Sequence, residues 1–144
     1  MYQLTQKRSP ILKFLGFFLA ISITAELLKV IFQGPSINEQ LMDTAKEINK
    51  HCPIMVDSLT RLDNSIATLD NKLQFNYTFI KTDKVDIDTS NLKSSMTSSF
   101  INKLTTDPKF KDFIQNDIAI SATFYDKSGN YVCNLFIEPK QFEK

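Results

Sequence analysis

Several residue types that chemistry relies on are scarce in this chain: among 144 residues there is one His, there are two Cys, and there is no Trp. A single histidine leaves no second imidazole for a metal site, and no Cys-x-x-Cys supplies thiolates in its place. His51 adjoins Cys52, but neighbours on a helix do not face one another, so a Cys–His catalytic pair is not expected. The plain reading of His51 is an exposed residue favoured by the C-terminal end of a helix dipole. With no free His as base, the many Ser make no triad. Acids are scattered singly, as on a solvated surface. No catalytic, cofactor or metal-ligating residue is therefore expected. The chain also lacks an internal repeat and a low-complexity tract.

Charge is short as well. The formal net charge is +1, but its distribution is uneven. The first 25 residues carry Lys7, Arg8 and Lys13 and no acid, whereas Ser36 to Lys144 holds 13 bases and 15 acids. A domain of net −2 has no basic footprint for nucleic acid, and that class of partner is excluded. Hydrophobic content of 42% and charged content of 23% describe an ordinary globular chain, with 12 Phe as the expected core filler.

The N-terminus reads as an export signal. Basic residues 7 and 8 precede a largely apolar stretch from Ile11 to Phe32, broken by Lys13, Glu26 and Lys29. As a helix it would run about 33 Å, close to the hydrocarbon thickness of a bilayer. Its uninterrupted part, Phe14 to Ala25, has only signal-peptide length. A cleaved signal wants small residues three and one positions before the cut, and Ile23 before Ala25 fits poorly. No Cys follows the apolar run, which excludes a lipoprotein anchor. An uncleaved anchor is the expected form: Glu26 and Lys29 can pair on one helical face, and Lys13 can snorkel. The organisation expected is a cytoplasmic tail over 1–10, a transmembrane signal-anchor over 11–33 and an exported domain over 36–144. The basic residues hold the N-terminus inside the inner membrane and place the domain in the periplasm or outside the cell.

Within the domain, Ser36 and Glu39 form a capping box, and Ile37, Leu41, Ala45 and Ile48 recur at helical spacing up to the break at Pro53. The spacing predicts a helix over 37–51. Leu73, Phe75, Tyr77 and Phe79 alternate with polar residues as a half-buried strand. Asp70-Asn71 is a turn, with 60–69 as the partner strand. Leu92, Met96, Phe100 and Leu104 step by four along a second helix, and Asp107-Pro108 opens a short third one that buries Phe110, Phe113 and Ile114. Residues 126–130 turn a last hairpin, with Ile118, Ile120, Ala122 and Phe124 on one face and Tyr131, Cys133, Leu135 and Ile137 on the return. The predicted fold class is α+β, order α-β-β-α-α-β-β, an antiparallel sheet with helices packed on one face.

Two groups of residues stand out. In an oxidising compartment Cys52 and Cys133 read as a disulfide closing a loop of about 80 residues, worth up to ~4.5 kcal/mol in the chain-entropy model; two free buried thiols are the alternative. The densest polar stretch runs from Pro53 to Asp63. Its Pro53, Met55, Val56, Asp57, Thr60, Arg61 and Leu62, with Tyr77 and the turn Tyr125 to Gly129, resemble a group of small membrane-tethered or secreted bacterial envelope proteins of unknown function. The resemblance spans most of residues 38–138 and implies no activity. Asp57 and Arg61 are read as an ion pair fixing the corner between helix and sheet, or, with Asp63, as a recognition patch. Asn76-Tyr77-Thr78 is a glycosylation sequon, read as coincidental.

The function expected is a non-enzymatic, membrane-tethered binding or assembly module of the bacterial envelope, its partner another envelope protein. The rivals are a small hydrolase or inhibitor directed at the cell wall, and a structural subunit of a membrane machine in which Glu26 and Lys29 pair with another membrane helix.

Overall fold

A computed structural model describes residues 36–141. The expected tail and anchor, 1–10 and 11–33, lie outside them. Among the described residues no helix is long and apolar enough to cross a membrane.

The first helix, α1 (Ile37–His51), has the bounds its periodicity predicts. Ser36 is its N-cap and accepts from the Glu39 amide at 3.3 Å, satisfying one of the donors a helix start leaves open. Cys52, extended ahead of Pro53, ends it. Leu41, Ala45 and Ile48 are buried. A two-residue strand that periodicity could not reveal, β1 (Ile54–Met55), comes next. It is followed by β2 (Thr60–Thr68), β3 (Lys72–Phe79), α2 (Thr89–Thr106), α3 (Lys111–Gln115), β4 (Ala119–Tyr125) and β5 (Tyr131–Ile137). Asp88 caps α2, accepting from the amides of Ser90 and Asn91. All four apolar residues at its four-residue steps, Leu92, Met96, Phe100 and Leu104, are buried. Phe110 and Phe113 are buried and meet edge to face, their centroids 6.0 Å apart; Ile114 is only half-buried.

The five strands form one sheet in chain order, with helices on one face. The sheet is mixed, which corrects the expected antiparallel arrangement. β3 and β4 run parallel, from Lys72 opposite Ala119 to Thr78 opposite Tyr125, while the other neighbours are antiparallel. A tight hairpin would force antiparallel pairing, but the crossover through α2 and α3 is long enough to return the chain to the end where β3 began.

Leu62, Leu73, Phe75, Tyr77, Ile120, Ala122, Phe124, Leu135 and Ile137 fill the helix side of the sheet. Phe124 lies between Tyr77 and Phe79, stacked on both at 5.2 and 5.4 Å. α1 packs over β2, and α2 packs over β5. A register shift in the last hairpin sets Tyr125 opposite Tyr131 and Phe124 opposite Cys133, so Val132 is the extra residue. Val132 is consequently buried and Tyr131 half-exposed. The expected core face of β5 thus keeps Cys133, Leu135 and Ile137 but loses Tyr131, because a bulge breaks the period of two.

The expected Cys52–Cys133 disulfide is absent: both are free thiols. Cys52 precedes β1 at one edge of the sheet and ends a helix that packs over β2, while Cys133 lies on β5 at the other edge.

Candidate functional site: the open face of the sheet

Alternate residues of a strand point to opposite faces, and the register lines up the face away from the helices in rows. One row runs Met55, Arg61, Thr78, Tyr125, Tyr131. The next runs Asn64, Asn76, Thr123, Asn134, and a third runs Ile66, Gln74, Ser121, Phe136. The face is therefore an amide and hydroxyl grid with aromatic rings at the β5 end. A bulge at Asp63 lets β2 present Asp63 and Asn64 beside each other.

The grid is tied to itself. Gln74 Nε2 donates to Asn76 Oδ1 at 3.0 Å, and Asn76 Nδ2 donates to Asn64 Oδ1 at 2.6 Å. Asn134 Nδ2 donates to both Ser121 Oγ and Thr123 Oγ1, at 2.9 and 2.8 Å. Ser121, Thr123 and Asn76 are only 4%, 7% and 9% exposed, so these bonds are made at low local dielectric, where a missing partner would be costly. The Asn76 sequon is occupied by this network and cannot serve as an acceptor site in the folded chain. At the β5 end Tyr131 and Phe136 stand out, 50% and 47% exposed. Lys84 and Lys72 lie 5.9 Å from their respective ring centroids.

The expected recognition patch comes together only in part. Arg61 Nε and Asp63 Oδ1 pair at 2.5 Å, and Asp63 Oδ2 accepts from Thr78 Oγ1 at 2.5 Å. Asp57 is elsewhere, and the expected Asp57–Arg61 ion pair is replaced by other bonds. Asp57 Oδ1 accepts from the amides of Leu59 and Thr60 at 2.6 and 2.8 Å, an Asx turn that reverses the chain between β1 and β2. Arg61 and Asp63 share the open face, whereas Asp57 is held in the loop.

His51 is exposed, its Nε2 lying 3.8 Å from Glu47 Oε1 one turn back. Lys50 holds the Glu47 carboxyl below its usual range. Burial pushes the Cys52 thiol up, and Asp63 adds to the shift. Burial also raises Cys133, Lys93 opposing. Raised thiols are poor nucleophiles. Burial raises Tyr77 well above the usual phenol range. Among the described residues no group of three or more His, Cys, Asp or Glu is placed to hold a metal ion.

Sequence reasoning missed Asp126. It is buried in the last hairpin and accepts four bonds: from the Ser128 and Asn130 amides at 2.9 and 2.8 Å, from Asn130 Nδ2 at 3.0 Å, and from the Lys84 amide at 3.1 Å. Asn130 above all, with the backbone amides, holds its carboxyl down to about 2. Lys127 Nζ reaches Asp83 Oδ2 at 2.5 Å. The hairpin is thereby clamped to the loop after β3. The signal lay in Asp126-x-Ser-x-Asn130, an Asx-turn pattern; the link to Lys84 had none.

The fold is similar to that of a Pseudomonas aeruginosa protein described as secreted, at 13% identity and TM-score 0.60, covering 76% of this chain and 100% of that one. It is also similar to the pilotin EpsS of the Vibrio vulnificus type 2 secretion system, at 9% identity and TM-score 0.59, covering 75% and 93%. The type II secretion pilotin AspS from Vibrio cholerae matches at 10% identity and TM-score 0.54, covering 84% and 97%. At these identities the likeness concerns the fold alone. No curated protein sequence matches the chain. A family model does match, over residues 36–133, and the chain belongs to that family, a domain of unknown function (DUF8479).

Proposed function

We propose that this chain is a non-enzymatic assembly module of the bacterial cell envelope, held in the inner membrane by residues 11–33 and engaging another envelope protein through its exported domain. The observation that carries the reading is the fold: the domain matches two type II secretion pilotins over nearly their whole length. A sheet face that no helix covers among the described residues suits such a role. Asp57 and Arg61 belong to the stretch that resembles small envelope proteins; in this reading Arg61 and Asp63 belong to the binding face and Asp57 supports the loop beside it.

A photo-crosslinking residue at Ile66, exposed on the open face, tests this in the full-length chain in intact cells. A discrete adduct with one envelope protein, lost when Arg61 is replaced by Glu, is the expected result. The absence of any adduct from this and other open-face positions counts against the reading. Cell-wall hydrolysis by the purified chain would replace it with the enzymatic rival.

A further inference from the structure

Among the described residues β5 is the last strand of the sheet and pairs with β4 alone. Its other edge meets no backbone partner among the described residues. Edge strands of this kind template the pairing of further strands, and proteins blunt them with charge, proline or short length. The opposite edge, β1, is blunted by having two residues. β5 runs seven residues, Tyr131-Val-Cys-Asn-Leu-Phe-Ile137, with no charge and no proline, and spans about 24 Å. Its one irregularity, the bulge at Val132, lies at its N-terminal end and leaves Cys133 to Ile137 regular.

We infer that the free edge of β5 takes up an extended segment of the partner protein as a sixth strand. This inference rests on the assembly reading and names the surface that reading uses. Main-chain hydrogen bonds would supply affinity and alternate side chains specificity. On the open face the added strand would lie beside Tyr131, Asn134 and Phe136. The segment that fits is uncharged over its paired residues, with an amide or hydroxyl side chain opposite Asn134 and apolar or aromatic ones opposite Tyr131 and Phe136. A second copy of this chain fits less well. α2 packs over β5 itself, so joining two β5 edges would set two α2 helices about one strand spacing apart. Packed helix axes need about 8–10 Å. A lone extended segment carries no helix and avoids the conflict.

The test uses the full-length chain in detergent and a synthetic peptide, Lys-Thr-Phe-Thr-Asn-Thr-Tyr-Thr-Lys, as the probe. Hydrogen exchange should slow at alternate β5 amides on adding the peptide, and binding should be saturable. N-methylating alternate peptide amides should weaken binding at least tenfold in one of the two possible phases and little in the other. F136K, at an exposed position, should weaken it about tenfold with an unchanged melting temperature. Unchanged β5 exchange at saturating peptide, or equal binding of both N-methylated forms, would overturn the proposal. So would self-association of the chain that F136K abolishes, since it assigns the edge to a second copy. If crosslinks from Ile66 persist while β5 shows no protection, the edge proposal falls and the assembly reading stands.

Discussion

Asp126 engages both carboxylate oxygens with four donors, and its depressed pKa gives the fold a defined acid sensitivity. An unfolded Asp titrates near ~3.9, whereas this one titrates at about 2. Because the folded value is the lower, its stabilising contribution is complete above ~pH 4 and disappears as pH falls towards 2. D126N should lower the melting temperature at pH 7, and the gap from the parent should close between those limits in a melting series. Asn49 is a second residue whose role is local and strong. Its Nδ2 donates to the Ser65 carbonyl at 2.8 Å, its Oδ1 accepts from the Ser65 amide at 2.7 Å, and Ser65 Oγ reaches the Ala45 carbonyl at 3.1 Å. β1 pairs only with Arg61 and Leu62, so no strand lies beside that edge of β2 at Ser65, and α1 supplies the bonds there. N49A leaves a backbone donor and acceptor unpaired and should cost about 1–3 kcal/mol in chemical denaturation. Asn49 lies outside the apolar stripe of Leu41, Ala45 and Ile48, so only contact with β2 reveals the clasp.

With Cys52 and Cys133 both free thiols, C52S and C133S should melt at temperatures that oxidant and reductant do not change. Thiol labelling of the unfolded, unreduced chain should find two thiols. A single disulfide in monomeric protein would overturn the free-thiol state. The β3–β4 pair is the centre of the core, and Phe124 is fully buried between two stacked rings. F124A should cost ~3–5 kcal/mol, read from the midpoint of urea unfolding. The helices were the most legible elements, because α1 and α2 each carry their start signal, their apolar stripe and their stop within a short run of residues. The strands were legible as strands but not in their partners, since pairing depends on how the intervening chain returns.

For the molecule as a whole, the proposed anchor over 11–33 predicts that a reporter fused after Lys144 is active only outside the cytoplasm and that the full-length chain needs detergent for extraction. A cytoplasm-only reporter active at that position would refute the arrangement. The open sheet face shows why the candidate site was only partly readable. Arg61 and Asp63 stood out because they lie close in sequence, and the structure pairs them. Asn64, Asn76, Thr123 and Asn134 come from four strands and form one row only once the register is set. What the chain determined by itself was local: caps, apolar stripes, turn residues and the order of basic and apolar segments at the N-terminus act between neighbours a few residues apart. What only the tertiary structure decided was non-local: the parallel β3–β4 pairing, the two bulges, the unbonded cysteines and the free β5 edge. These depend on hydrogen bonds and packing between segments tens of residues apart, whose geometry no local periodicity encodes.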